Sequence, residues 1–397
     1  MPVPIPSPEE ALHGPPEPAD AQTLADGVAY AVATKTGLTH LQRVLIESIF
    51  KQMTGRVVDV SEPRPVTPEE FAAVLAPRDL ATRERLIQVM LLCALVLRPL
   101  PAAVTKRINA FAAELGVDDG MAMVAQDFAK RSYSLAAKDF DRNGYVETWT
   151  PDAAAELHTT AALDSAWAED IDDPELAGRW AALADLPRGT LGRGVWEMYQ
   201  ARGFVFPGLP GSAPPLLAQH DWVHVLADYG TTVESELEVF GFIARANDDM
   251  HAFSLLAMVV SLFETGSLKA GAGLFEASPG HLSANECVAV RLADAMRRGS
   301  FAHDTASDSN SVDFLRIDWF AVAHLTLEEA RARFAIEAKS DDAFVAGTVG
   351  PWEPGGISPY QLNAGAKLAA EAGRPYDSFG ASVAEASDPR TSAGASP

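Results

Sequence analysis

The chain is short of cysteine, of positive charge and of long apolar runs, and each shortage removes a class of function. Its 2 cysteines, Cys93 and Cys287, lie far apart, each in an apolar stretch. They read as reduced core residues and not as a disulfide framework. Lys and Arg number 31 against 54 Asp and Glu, a net charge of −23. No basic stripe exists to neutralise phosphates, so nucleic acid is not expected as a partner. The same sign opposes docking on anionic lipid by charge alone and suits the attraction of a metal cation. The longest apolar runs, 89–97 and 252–263, fall short of the ~18 residues that span a bilayer and read as buried helices. The first 20 residues lack the basic and apolar regions of a signal peptide and the Arg-rich pattern of a transit peptide, so a cytoplasmic location is expected. Ala- and Asp-rich usage is associated with a GC-rich bacterial source. G-x-S-x-G, C-x-x-C, phosphate-loop and dinucleotide motifs are all missing, leaving serine hydrolase, thiol redox and nucleotide chemistry without support.

What is present is helical. Hydrophobic residues make up 48% of the 397, ample for a buried core, and the length favours two domains. Residues 1–22 are Pro-rich and polar and are expected to be disordered. From Ala25 to Gly55 apolar residues recur at helical spacing in two runs broken near Thr36-Gly37. Thr67-Pro68-Glu69-Glu70 is a helix start, and 68–76, 79–98 and 102–116 read as three further helices. The predicted architecture is all-α: a helical module over 25–150, a second over 151–338, and an irregular, mobile tail over 339–397. Asp139, Asp141 and Asn143 with Gly144 match the first half of a calcium loop, but Thr150 stands where the bidentate Glu belongs, and a tight Asn-Gly turn explains them equally. His251 reads as a helix-start or core histidine.

The chemistry concentrates in QHDWVHVLADYGTTVESELE, residues 219–238. On a helix, His220 and His224 share one face, with Asp221 beside them. Asp228-Tyr229-Gly230 reads as a stop in which Gly takes the left-handed conformation. Thr231 or Thr232 then caps a second helix, Thr231-x-x-Glu234 having capping-box form. A helix returning from so tight a turn carries Glu236 back to face the two imidazoles. Two His and two carboxylates in one helix-turn-helix form a divalent-metal set with zinc favoured; the competing reading is two surface His among solvated acids. The H-E-x-x-H peptidase pattern is not met, because Asp221 stands where the longer Glu belongs. Upstream, Arg193 is either a surface ion pair or the holder of an anionic head group. Residues 204–217, rich in Pro and Gly, read as a loop lying over the pocket. The apolar helix 249–264 reads as core or as the lining of an apolar channel. Thr326 can cap a last helix over 327–336.

H-D-x-x-H-x11-E resembles the signature of the coenzyme Q biosynthesis protein 4 family, with His220, Asp221, His224 and Glu236 at its four positions. LPRGTLGRGVWEMY (186–199), AMRRGSF (295–301) and IDWFAVAHLTLEEARARFAI (317–336) are similar to further elements of that family in the same order. The resemblance spans about residues 160–336. It implies a helical metal-binding domain, with His220, His224 and Glu236 as ligands and Asp221 as a ligand or a group orienting one. The implied activity is metal-dependent oxidative decarboxylation of the head group of a prenylated aromatic acid, with Asp221 and Arg193 as catalytic residues. Zinc is the implied metal, with iron or manganese as alternatives for oxygen chemistry. A prenylated quinone precursor or other polyisoprenoid lipid, other quinone-biosynthesis proteins and a second copy of the chain are the implied partners, with peripheral contact at the inner face of the cell membrane. The alternative is a non-catalytic prenyl-lipid-binding scaffold with a structural metal. Residues 25–140, through KRINAFAAELGV (106–117), resemble the helical domain of tellurite-resistance protein B.

Overall fold

The computed structural model describes residues 16–97, 100–117, 172–213, 218–246, 285–307 and 311–383, with Leu256, Val260 and Leu282 besides. The calcium-like turn and His251 lie outside these, as does nearly all of the 249–264 helix, of which Leu256 and Val260 are helical and buried. Among the described residues the fold is all-α. It has fourteen helices and no β-strand, only three isolated bridges.

Five helices form the N-terminal module: α1 (Pro18–Val32), α2 (His40–Thr54), α3 (Pro68–Leu75), α4 (Leu80–Leu95) and α5 (Ala102–Leu115). Helix α1 starts inside the stretch expected to be disordered. Pro18 fills its first position, where no N–H is needed, and Ala21, Leu24 and Ala25 are already buried. Capping boxes at Thr39/Gln42 and Thr67/Glu70 set the starts of α2 and α3. Gln42 is wholly buried yet satisfied, donating to the carbonyls of Val32 and Cys93 at 3.0 Å, and Phe71 meets Phe111 edge to face.

The second region comprises α6 (Pro174–Ala182), α7 (Leu191–Arg202), α8 (Gln219–Ala227), α9 (Val233–Ala246), α10 (Cys287–Phe301), α11 (Trp319–Val322), α12 (Leu327–Arg333), α13 (Asp341–Val345) and α14 (Pro359–Glu371). Helix α9 lies along α10, and α2 packs on α10. The two helices α9 and α10 approach closely because Gly241 and Gly299 have no side chains: an added Cβ would stand 2.5 Å from Leu292 Cδ1 at the first and 2.1 Å from the Phe242 carbonyl oxygen at the second. Their interface holds a buried ion pair, Glu238–Arg291 at 2.5 Å, and Thr348 donates to the other Glu238 oxygen at 2.6 Å. Burial alone depresses the Arg291 guanidinium, but the Glu238 carboxylate more than compensates and its pKa ends above the ordinary value. Cys93 is buried, and burial pushes its thiol up. Cys287 departs from the expectation of a core residue, because as the first residue of α10 it is exposed.

The described segment beyond Ser340 is mostly irregular, as expected, with two helices within it. It forms α13 and α14 and packs on α7, with Gly203 and Gly365 allowing close backbone approach. Ser340 and Ser358 cap its two helices, and Pro359 opens the second. Composition hid this order: its buried helical residues are small or polar (Ala343, Gln361, Gly365, Ala369), so no strong apolar period marks it. Residues 384–397 lie outside the description. Among the described residues no helix is long and apolar enough to cross a membrane.

Candidate metal centre

Helices α8 and α9 form a tight antiparallel pair. The left-handed residue of the turn is Asp228, at φ 64°, and not Gly230. Asp228 tolerates that conformation better than most non-Gly residues. Gly230 is needed for another reason: a Cβ there would lie 2.7 Å from Gly356 Cα. The Thr231 hydroxyl is occupied by Gln361 and Arg202, which leaves Thr232 as the residue preceding α9.

The turn brings His220, Asp221, His224 and Glu236 together, and all four are buried, between 0% and 6% exposed. Glu236 Oε2 lies 3.3 Å from His220 Nε2, Glu236 Oε1 lies 3.2 Å from His224 Nε2, and Asp221 Oδ1 lies 3.4 Å from His220 Nε2. With bonds of about 2.0–2.1 Å, the donors of a tetrahedral zinc are spaced about 3.3–3.4 Å apart; these three separations are of that size, the two from Glu236 running through its two different oxygens. The donor atoms of His220, Asp221 and His224 all fall within 4.8 Å of one another.

Hydrogen bonding fixes the protonation of one imidazole. His224 Nδ1 is 2.6 Å from the Gly230 carbonyl oxygen, which can only accept. In neutral His224 the Nε2 lone pair therefore faces a carboxylate oxygen, an arrangement that requires a proton or a metal cation between them. Neither His224 Nε2 nor Glu236 Oε2 has a hydrogen-bond partner, although buried polar atoms normally do. This pattern favours the metal set over solvated surface residues, since no member is on the surface.

Around the cluster, the Tyr199 hydroxyl donates to Asp221 Oδ2, and His220 stacks on Phe240 at 5.0 Å. Burial pushes the Asp221 carboxyl above its ordinary range, against the pull of the two imidazoles. Burial acts in the same direction on Glu236, but the imidazoles outweigh it and hold that carboxyl at about 2. Tyr199 is raised well above the usual phenol range, first by burial and then by the Asp221 charge. Phe204 and Phe206, at the start of the 204–217 loop, pack on the Tyr199 ring. Under α8, Trp222 stacks on Trp319 at 5.6 Å with planes 3° apart and also meets Trp180.

Arg193 does not join the cluster. Its guanidinium donates to Glu197 Oε1 at 2.9 Å and to the Ala184 carbonyl, and lies over Trp196. It is the local ion pair of the two readings. The buried cation near the site is Arg202, wholly unexposed. Burial draws its guanidinium down to about 9, opposed by Tyr376, Glu236 and Asp221. Neither Tyr199 nor Arg202 was identifiable as a site residue from sequence, because their partners lie 22 to 154 positions along the chain.

Compared with known proteins, the chain matches no family model, no curated protein and no solved structure.

Proposed function

We propose that His220, Asp221, His224 and Glu236 hold one divalent cation, zinc first with iron or manganese as alternatives. On this reading the chain is a metal-dependent enzyme of the quinone-biosynthesis type, acting on the head group of a prenylated aromatic acid by oxidative decarboxylation. The observation that carries the metal is the buried His224 Nε2, which has no hydrogen-bond partner and lies 3.2 Å from Glu236 Oε1. Two neutral imidazoles and two carboxylates offset the charge of a divalent ion, which lowers the cost of burying it. Gly230 holds His224 through its carbonyl and Tyr199 holds Asp221, the kind of outer support that metal ligands require. A bound metal would supply Lewis acidity toward the head group. The substrate class, the polyisoprenoid and protein partners, self-association and membrane contact rest on the family resemblance alone, and Arg193 as holder of a substrate carboxylate loses support from its local pairing.

A specific observation favours the scaffold alternative as well. All four ligands are at most 6% exposed, and a closed site is the mark of a structural metal.

Metal content of the purified chain is the direct test, with bound lipid extracted in parallel. One zinc, iron or manganese per chain is expected, falling to near zero in His220→Ala and in Glu236→Gln. A metal-free wild-type chain that binds none of the three on titration would refute the centre. Chelation that removes the metal and leaves the helices intact points to the enzyme; unfolding on chelation points to the scaffold.

A further inference from the structure

Arg202 closes α7 out of reach of solvent, and two of its three guanidinium nitrogens, Nε and Nη2, find acceptors within the protein, while Nη1 has none among the described residues. Nε donates to Thr231 Oγ1 at 2.5 Å, and Nη2 donates to the carbonyls of Pro351 at 2.6 Å and Gly356 at 3.1 Å. The guanidinium also lies 5.5 Å from the Trp352 ring centre. Thr231 belongs to the α8–α9 turn, and its N–H donates to the Gly356 carbonyl at 2.9 Å. Its hydroxyl donates to Gln361 Oε1 at 2.8 Å, and its carbonyl accepts from Gln361 Nε2 at 2.7 Å. One residue earlier, the Gly230 N–H donates to the Val349 carbonyl at 3.0 Å. The Gly230 carbonyl is the group that orients His224. The turn that brings His224 and Glu236 together is thus gripped by residues 349–361, which lie beyond the part of the chain that resembles the metal-binding family.

We propose that Arg202 and the 349–361 segment are positioning elements of the metal centre: Arg202 pins the segment, and the segment fixes the α8–α9 turn and so the geometry at which His224 and Glu236 meet the cation. This rests on the metal reading. A mere loss of positive charge beside Asp221 and Glu236 would tighten cation binding, whereas loss of the pin loosens it. The two effects separate in variants that keep the charge. Arg202→Lys keeps it but cannot span Thr231, Pro351 and Gly356 with one ammonium group. Thr231→Val removes the hydroxyl that joins Arg202 to Gln361 and is nearly isosteric.

The experiment measures zinc affinity by competition and the visible spectrum of the cobalt(II)-loaded full-length chain. Both variants are expected to weaken zinc about 10–100-fold, the range seen when support of a ligand is removed, and to shift the cobalt bands. Gln42→Leu, which breaks a buried hydrogen bond in the N-terminal module, serves as the stability control and is expected to lower thermal stability without moving either readout. Unchanged or tighter zinc binding with an unchanged cobalt spectrum in both variants overturns the proposal and leaves the metal centre standing. A wild-type chain that binds neither zinc nor cobalt removes the centre and the proposal together, and that failure shows before any variant is made. If Arg202→Lys does not fold, Thr231→Val decides alone.

Discussion

At the scale of single residues, α9 separates two kinds of buried charge two positions apart. Glu236 turns to the imidazoles of α8, and Glu238 turns to Arg291 of α10. Glu238→Gln leaves Arg291 buried without its counter-charge, a change that costs about 3–5 kcal/mol when one partner of such a pair is lost. Urea unfolding is expected to show that loss, while metal content stays at the wild-type value because the site lies on the other face. Metal lost without loss of stability would reverse the two assignments. Which residues would meet at the site was legible for His220, Asp221, His224 and Glu236, because helical spacing and a short turn are local facts. It was not legible for Tyr199 and Arg202, whose partners lie 22 to 154 positions away. Arg193 and Arg202 both sit on α7 with similar local sequence cues, and only burial tells them apart.

At the scale of elements, the starts of helices were read correctly where a side chain caps within its own turn. Thr67 before Pro68 is one instance. At Thr326 the cap is a full box with Glu329, and the helix is shorter than expected, Leu327–Arg333. Asp304, just past α10, is tied to this helix by an ion pair with Arg333, with contacts at 3.2 and 3.1 Å. Burial raises the Asp304 carboxyl, but the Arg333 hydrogen bonds and charge, with the Ala306 N–H, bring it below its ordinary 3.8. An acid with a lowered folded pKa stabilises the fold above its unfolded pKa, and that contribution disappears as pH falls through the folded value. Asp304→Asn keeps the contact to the Ala306 N–H and loses the charge. It is expected to cost about 0.2–1 kcal/mol at pH 7, as partly exposed pairs do, and less at pH 2. Urea midpoints at the two pH values check this; an equal deficit at both would assign the effect to packing and not to charge.

At the scale of the whole molecule, the N-terminal module and the helices that carry the His220, Asp221, His224 and Glu236 cluster share one hydrophobic core. Helix α2 rests on α10 and α10 on α9, with a His40–Glu286 pair at the start of α10 and a Lys51–Asp342 pair joining α2 to α13. Phe50 in α2 is wholly buried, and Phe50→Ala is expected to cost about 3–5 kcal/mol. That loss should lower the single thermal transition seen both by helix content and by the tryptophans around Trp222; two separated transitions would mean that the halves fold independently. The amino-acid order by itself determined the helical class, most helix starts and the four residues able to surround a cation, because period, caps and a tight turn act over a few residues. Only the tertiary structure decided that a Gly- and Ala-rich C-terminal segment grips the α8–α9 turn, that Arg202 is buried while Arg193 is paired locally, and that the two halves share a core. Each of those depends on contacts between distant parts of the chain, for which short-range periodicity carries no signal.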